Sequence, residues 1–407
     1  MTLRNDLRNL WILVPAIPFY LTVLRCLENI PVMDDFDMPL RYCMEFQRAA
    51  LWDKCVMLFS QYGEHRLIPS KILYLAYYYL TGTFNFRIVG IIGDLQLLVV
   101  AFVSVHFLRK YSQYWQFISF IWLLLIFDLN TYENACMCMN AVGNYGQVAF
   151  FFLTLYLYDR QRGLAIAATV QVLCAFSNGN GMLAMIILPF FCWSKGDRKK
   201  FIVAAIVSVC CITLHLIFHH AETLPTKIPF DLSRTITYFI RMAGAHFDFD
   251  NSWWIGIIVL ATLVYLVGTM LWTMAKKSRE LSDAGIICIL AFVAGTMLLA
   301  AYFRGNSSDA QFQTSRYLIY PQLMIACIIF LLFNKFRTKL WQRVCMVGLL
   351  LIMLPTYKHN YWFGELGFER TQMRATLLRY WHPHPDKAAQ ICKEACDKGV
   401  YCIEDNR

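Results

Sequence analysis

Apolar runs of about 20 residues recur along most of the chain, and short polar stretches separate one run from the next. A helix needs about 20 residues to cross the hydrocarbon core of a bilayer, which is roughly 30 Å thick. The pattern therefore predicts an all-α fold, a polytopic transmembrane helical bundle with about eleven spans. The spans are predicted near residues 10–30, 85–108, 116–128, 141–158, 163–177, 180–194, 200–219, 253–274, 284–303, 316–333 and 341–356.

Basic residues fall in every second connection between the predicted spans. Cytoplasmic loops of membrane proteins carry an excess of Lys and Arg, so this side is predicted to be cytoplasmic, together with the N-terminus. The short loops near 129–140 and 177–180, on the other side, contain no basic residue. The seventeen basic residues on the cytoplasmic side are Arg4, Arg8, Arg109, Lys110, Arg160, Arg162, Lys195, Arg198, Lys199, Lys200, Lys276, Lys277, Arg279, Lys335, Arg337, Lys339 and Arg343.

The outer side then receives the longer connections. They are a first loop at 31–84, loops at 128–140, 220–252 and 304–316, the SNGN turn near 177–180, and a tail from 357. In the first loop, LIPSKILYLAYYYLTG is apolar but short and rich in Tyr, which predicts a helix lying at the membrane interface. No linker or internal repeat is visible, so residues 1–356 are predicted to form one transmembrane domain and residues 357–407 a short extracytoplasmic tail.

Composition excludes a soluble protein, because 58% of the residues are hydrophobic and 16% are charged, against about 25% charged in soluble domains. The net charge of +10 follows from the basic cytoplasmic loops, so membrane lipids are the implied partner and nucleic acid is not. Most of the 15 cysteines lie in apolar runs as small hydrophobic residues. Because the polar tail is predicted to face an oxidising compartment, Cys402 is predicted to form a disulfide with Cys392 or Cys396.

The first candidate site is PVMDDFDMPLRY, directly after the first span, with Asp34, Asp35 and Asp37 within four residues. Adjacent carboxylates repel each other, so either one pKa rises or a divalent cation such as Mg²⁺ or Mn²⁺ is held between them. Either outcome favours catalytic roles for Asp34 and Asp35, as a general base or as metal ligands. The alternative is a solvated acidic loop.

The second candidate is QYGEHRLIPS, in which Glu64, His65 and Arg66 are consecutive. A carboxylate, an imidazole and a guanidinium together are able to bind a phosphate and to move a proton. The alternative is an arginine that anchors the chain at the interface, with incidental neighbours.

Polar residues also cap the outer ends of later spans, and they are candidates for substrate binding. Glu133, Asn134 and Asn144 lie in TYENACMCMNAVGNYG, and Asn178 and Asn180 lie in FSNGNG. These side chains predict either a rim that binds sugar hydroxyls or ordinary turns, since Asn and Gly are common turn residues.

A fourth candidate is YFRGNSSDAQFQTSRYLIYPQ, where Arg304 and Arg316 bracket an outer loop and Tyr317 follows Arg316. Arginine near the outer membrane surface is costly unless it pairs with an anion, so a lipid phosphate is the expected ligand. Snorkelling to lipid headgroups is the alternative. The histidines in HH at 219–220 and in WHPHP lack the further ligands that a zinc site requires.

This arrangement resembles the GT-C superfamily of membrane glycosyltransferases, which use sugars carried on polyprenyl phosphate. In that family a long first outer loop carries an acidic motif just after span one and contains membrane-lying helices; MDDFD, the 31–84 loop and LIPSKILYLAYYYL match this plan. The resemblance implies that Asp34 or Asp35 is the catalytic or metal-assisting acid and that the residues of the EHR cluster form a second site. The compact size is similar to bacterial and phage-encoded enzymes that decorate O-antigen, part of lipopolysaccharide, or related cell-envelope glycans.

The expected activity is therefore that of a hexosyltransferase in the bacterial inner membrane, with its active site facing the periplasm. A polyprenyl-phosphate-linked sugar is the expected donor, and a cell-envelope glycan or lipid is the expected acceptor. Three alternatives remain: a lipid-linked glycan flippase or transporter, an envelope-glycan polymerase or ligase, and a non-enzymatic assembly subunit. The flippase alternative depends on Asp94, an acid within a predicted span.

Overall fold

A computed structural model describes residues 9–63, 65–160, 163–218, 230–247, 250–277, 284–305, 314–335 and 338–403. The protein is all-helical, and no β-strand occurs in these residues. Within the described part of the chain, seven helical segments are long and apolar enough to cross a membrane, and three further apolar helices are shorter. The all-α prediction is thereby confirmed, and each of the predicted spans overlaps a helix.

The helices follow the chain in two groups. The first group consists of α1 (Ala16–Cys26), α2 (Tyr42–Arg48), α3 (Leu51–Phe59), α4 (Ile68–Thr81), α5 (Phe86–Tyr111), α6 (Trp115–Ile126), α7 (Tyr132–Cys136) and α8 (Gly146–Asp159). The second group consists of α9 (Leu164–Ala175), α10 (Gly181–Ser194), α11 (Arg198–Ile217), α12 (Leu232–Gly244), α13 (Ser252–Lys277), α14 (Ala284–Arg304), α15 (Ile319–Lys335), α16 (Lys339–Leu378) and α17 (Pro385–Asp397).

A single apolar core joins most of these helices. Trp122 on α6 is fully buried, and the rings of Phe151 on α8 and Phe292 on α14 stack with their centroids 4.1 Å apart. Gly93 lets α5 approach the π-helical turn that precedes α8, since a Cβ at Gly93 would lie 2.6 Å from the Cβ of Ala141. Close packing of this kind holds the helix ends, and the polar residues on them, in fixed positions.

One end of the bundle collects charges from three of the predicted cytoplasmic loops. The Lys110 ammonium lies 2.6 Å from the Asp159 carboxylate, and Lys195 lies 3.7 Å from the same carboxylate. These residues come from the ends of α5 and α8 and from the residue after α10. We call this the basic end, and the opposite end, where the first loop lies, the outer end.

The clustering of these charges at the basic end leads to a prediction of membrane topology. A reporter that is active only outside the cytoplasm should work when fused after residue 38, 250 or 407, and should fail after 110, 198 or 277. The reason is that basic loops are retained on the cytoplasmic side during insertion. Activity assays on the fusions in whole cells make the test, and a cytoplasmic C-terminus would contradict the arrangement.

The tail is an ordered part of the outer end and not a short appendage. Helix α16 has 40 residues, a length of about 60 Å, so it continues far beyond the predicted span at 341–356. The segment that follows packs on the first loop, where the Met33 amide donates to the Trp381 carbonyl at 3.0 Å and the Phe84 amide donates to Val400 at 2.7 Å. The polar tail residues therefore form helices that share a core with the first loop.

Two further features of the outer end bear on the sequence predictions. Cys396 and Cys402 form a disulfide, one of the two predicted pairings, whereas Cys392 is free and buried. The predicted interfacial helix is α4, but one face of it is buried in the protein. The most exposed apolar helix of the first loop is α3, where Leu51 and Trp52 are 82% and 76% exposed.

Candidate active site at the outer end

A tight turn at residues 62–65 is the centre of the candidate site. The Tyr62 amide donates to the His65 carbonyl at 2.7 Å, and the His65 amide donates back to Tyr62 at 3.0 Å. Gly63 allows the reversal because its φ of 55° lies in the left-handed region. The turn therefore fixes two side chains, Tyr62 and His65, which contact different groups of predicted site residues. Glu64 lies outside the described residues.

Asp34 lies on the Tyr62 side of the turn. The Tyr62 hydroxyl donates to the Asp34 carboxylate at 3.3 Å, and the carboxylate is half-buried, so part of it faces solvent. The preceding residue, Met33, has a φ of 54°, a strained conformation for a residue other than glycine. Strain of this kind persists only where neighbours enforce it, and it is common at functional sites.

Asp35 does not share this exposure. It is 1% exposed, and its carboxylate accepts backbone hydrogen bonds from Met139 at 2.8 Å, Cys138 at 3.3 Å and Val32 at 3.2 Å. Burial raises the pKa of Asp35 to about 7, against the lowering effect of these hydrogen bonds. Asp35 thus caps the helical turns before α8. Partners about 100 residues away therefore enclose Asp35, so the alternative of a solvated acidic loop does not describe this residue.

Asp37 connects the first loop to the tail. Its carboxylate lies 2.7 Å from the Lys387 ammonium and 3.2 Å from Nε2 of His382. Burial works to raise the pKa of Asp37, but the hydrogen bonds and charges of Lys387 and His382 outweigh burial and lower it. The three acids of the motif therefore differ in surroundings, and Asp34 is the one whose carboxylate is open to a substrate.

His65 lies on the other side of the turn, near two arginines. Its Nδ1 accepts a hydrogen bond from the Gly179 amide at 3.1 Å, which leaves the ring proton on Nε2. Burial, with smaller effects of the positive charges of Arg304 and Arg316, lowers the pKa of His65 to about 4. His65 is therefore a neutral imidazole at pH 7, and both arginines contribute positive charge to its surroundings.

A chain of asparagine side chains connects the outer ends of several helices. Asn178 donates to Asn144 at 2.8 Å, Asn144 donates to Asn134 at 2.8 Å, and Asn134 donates to the Arg316 carbonyl at 3.0 Å. Asn180 belongs to a neighbouring contact, in which its amide donates to the Tyr320 hydroxyl at 3.0 Å. The structure thus brings His65 of the second motif together with predicted polar residues of the third and fourth motifs.

Arg316 has an unsatisfied donor in this cluster. Its backbone amide donates to the Glu133 carboxylate at 3.3 Å, and its guanidinium lies over the Tyr317 ring at 5.3 Å. Its Nε is buried and has no acceptor among the described residues. A buried N–H without an acceptor costs free energy, and an anionic ligand would relieve that cost.

Arg66 does not join the cluster. It is 4% exposed, and its guanidinium donates to the carbonyls of Phe59 at 2.7 Å and His215 at 3.2 Å. These bonds hold the end of α3 against α11, so the side chain is occupied by the protein itself. The structure thus favours neither a phosphate-binding role nor an interfacial anchor role for Arg66, because Phe59 and His215 accept its hydrogen bonds.

The sequence reasoning missed two buried polar groups at this end. The Lys71 ammonium donates to the carbonyls of Met57 at 2.9 Å and Ser60 at 2.6 Å, at the end of α3. Asn360 on α16 donates to the Asp128 carboxylate at 3.1 Å, close to the buried His246. A lone lysine in an apolar helix was the available signal for the first group, and both groups are structural, since the protein supplies their hydrogen-bond partners.

A divalent cation at Asp34 and Asp35 does not fit this geometry. Both oxygens of Asp35 accept backbone N–H groups, which would repel a cation at the same position. Within the described ranges, no group of three or more His, Cys, Asp or Glu side chains lies close enough to hold a metal ion. The chemistry that the site can perform is therefore proton transfer at Asp34 and anion binding at Arg316.

The site thus consists of a partly exposed carboxylate and a cationic cluster on either side of the 62–65 turn. No protein-family model, curated protein or solved structure matches the chain.

Proposed function

We propose that the protein is a membrane glycosyltransferase that moves a sugar from a polyprenyl-phosphate donor to a cell-envelope glycan or lipid. The observation that carries this proposal is the placement of Asp34 and the arginine cluster on two sides of one turn at the outer end. Sugar transfer from a lipid phosphate needs a base at one point and positive charge at another, and this site offers both.

Asp34 and Arg316 take different roles in the proposed reaction. The Asp34 carboxylate accepts the proton of the acceptor hydroxyl as that oxygen forms a bond to the sugar C1. The bond between C1 and the phosphate oxygen breaks, and the lipid phosphate leaves with the electron pair. Arg316, with Arg304 nearby, stabilises the negative charge of the departing phosphate. Because phosphate is a good leaving group, a strong general acid is unnecessary.

A membrane location suits this chemistry. The donor phosphate lies at the bilayer surface while its polyprenyl chain lies among the lipids, so the catalyst must place its charges at a membrane boundary. The outer end has this position if the basic end faces the cytoplasm. We therefore propose the bacterial inner membrane, with the site facing the periplasm.

Arg316 provides the test of the donor site. In nanodiscs with a polyprenyl-phosphate-linked sugar, Arg316→Ala is expected to lower transfer by about 10- to 150-fold, because losing a charge-assisted hydrogen bond costs about 1.5–3 kcal/mol. Arg316→Lys should restore part of the rate, since an ammonium cannot reproduce the planar fork of guanidinium. The measurement is the initial rate of product formation.

Arg343 is the matched control, because it is exposed on α16 near the end opposite the site. Arg343→Ala should transfer sugar at the wild-type rate. Unchanged kinetics in a stable Arg316→Ala protein would return Arg316 to the role of a lipid-headgroup anchor.

A flippase is the second candidate, and Asp94 is the observation in its favour. Asp94 is fully buried in α5, and neither carboxylate oxygen has a hydrogen-bond partner in the described part of the chain. Such an acid within a membrane span is typical of transport proteins. Movement of an intact lipid-linked glycan by the purified protein, without a new glycosidic bond and lost in Asp94→Asn, would support this candidate over the transferase.

A further inference from the structure

A groove lies between α7 and the part of α16 that continues beyond the predicted span. Its volume is about 350 Å³, within the range of small-molecule sites. The side chains that line it include Tyr132, Trp362, Leu366, Arg370, Thr371 and Arg374. The groove therefore combines aromatic surface, a hydroxyl and two positive charges.

The two arginines lie on one face of α16, because residues four apart are neighbours on a helix. Both are exposed, and no carboxylate of the described residues forms an ion pair with either one. The nearby acids, Glu365 and Glu369, instead pair with Arg25 on α1 at the outer end. The positive charge of Arg370 and Arg374 is thus available to a ligand.

Gly367 shapes the groove. A Cβ at this position would lie 2.7 Å from the Tyr132 ring, so only glycine lets that ring lie against α16. The Arg374 guanidinium lies 5.9 Å from the centre of the Trp381 ring, which directs it along the helix surface. The wall of the groove is built by residues from α7 and α16.

Helix α7 connects this groove to the candidate active site. Tyr132 lines the groove, while the next residue, Glu133, accepts the Arg316 amide and Asn134 donates to the Arg316 carbonyl. Helix α7, which has five residues, therefore faces the groove on one side and contacts Arg316 on another. A ligand in the groove would lie beside the reacting centre.

We propose that this groove binds an anionic saccharide, the sugar-accepting glycan, through a carboxylate or phosphate held by Arg370 and Arg374. The identification of the ligand as the acceptor rests on the proposed function. Guanidinium groups bind carboxylate and phosphate with paired hydrogen bonds. The apolar faces of sugar rings pack on aromatic side chains, which Tyr132 and Trp362 provide. A lipid headgroup also carries an anionic group, but it would not require a groove of this volume.

The test measures binding by titration calorimetry on the full chain in phosphatidylcholine nanodiscs. The probe is a hexamer of galacturonic acid, and maltohexaose is the neutral comparison. The wild type should bind the acidic hexamer more tightly than maltohexaose. The double variant Arg370→Gln/Arg374→Gln should weaken binding of the acidic hexamer by at least about tenfold, whereas Arg343→Gln on the same helix should bind as the wild type does.

Gly367→Ala separates a groove from a merely charged surface. It keeps both arginines but pushes a methyl group towards the Tyr132 ring, so it should also weaken binding of the acidic hexamer. The proposal fails if the double variant binds like the wild type, or if the two hexamers bind equally. It also fails if the double variant loses only co-purifying anionic lipid, measured by mass spectrometry, with no change in hexamer binding.

The glycosyltransferase proposal and the groove proposal can be contradicted independently of each other. Asp34→Asn should bind the acidic hexamer as the wild type does, because Asp34 is not part of the groove. A protein that binds the hexamer but transfers no sugar from any lipid donor would contradict the glycosyltransferase proposal alone. A protein that transfers sugar normally but does not distinguish the hexamers would contradict the groove alone.

Discussion

Replacing Asp34 with Asn is expected to lower the rate of sugar transfer by about 10² to 10⁴, the usual effect of losing a general base. Asparagine keeps the shape of the side chain and can still accept the Tyr62 hydroxyl, but it cannot take a proton from the acceptor. Because Asp34 is only half-buried and has one hydrogen-bond partner of note, stability should change by less than about 0.5 kcal/mol. The transfer rate and the melting temperature of the same preparation make the test.

Asp53 is the matched control for this variant. It is an exposed acid on α3 in the same outer loop, away from the Tyr62 contact. Asp53→Asn should insert and express normally, and it should transfer sugar at the wild-type rate. Full transfer by Asp34→Asn would remove Asp34 from the mechanism and shift attention to the flippase candidate and Asp94.

Unlike Asp34→Asn, Asp35→Asn is expected to act primarily by lowering the stability of the protein. An asparagine amide would turn an N–H group towards the backbone donors of Met139 or of Cys138 and Val32. Leaving a buried donor without an acceptor costs about 1–3 kcal/mol. Thermal unfolding should therefore occur at a lower temperature in Asp35→Asn than in Asp34→Asn.

The pH dependence of the free energy of unfolding tests whether titration of Asp35 contributes to this loss of stability. Because the pKa of Asp35 is raised to about 7, the folded protein keeps a proton that the unfolded chain releases above about pH 4. The free energy of unfolding of the wild type should fall as pH rises from about 4 to about 7 and then level off. Asn does not titrate, so the stability deficit of Asp35→Asn should be largest at about pH 4 and below and should narrow towards pH 8. Parallel stability curves would show that Asp35 does not titrate in this window.

The helices were predictable because apolar length is a local property of the sequence. The predicted spans overlap the helices from α1 to α16, and the basic residues Lys110 and Lys195 do meet at one end. The polar residues of separate outer loops could also be expected to meet, since the ends of neighbouring spans are close together. Asn134, Asn178 and Arg316 are connected in this way through Asn144.

The role of each candidate residue was less predictable, because it depends on partners far away in the chain. Asp34 and Asp35 are adjacent in sequence, yet Asp35 is enclosed by Met139, 104 residues on, and Asp34 is not. No local pattern distinguishes the two acids. The packing of the tail was not predictable for a related reason: its polar composition indicates the end of an apolar run, but not that the helix continues to residue 378 and that the segment after it packs on the first loop.

The contact between the Met33 amide and the Trp381 carbonyl joins the earliest part of the outer end to one of the last. At a synthesis rate of about 5–20 residues per second, roughly 20 to 70 seconds separate the making of these two residues. During that interval the loop with Asp34 has been made, but it lacks the carbonyl that accepts the Met33 amide beside its strained backbone. The loop should therefore reach its final conformation only after the segment around residues 381–401 has docked, so any activity that depends on Asp34 should appear only when synthesis is almost complete.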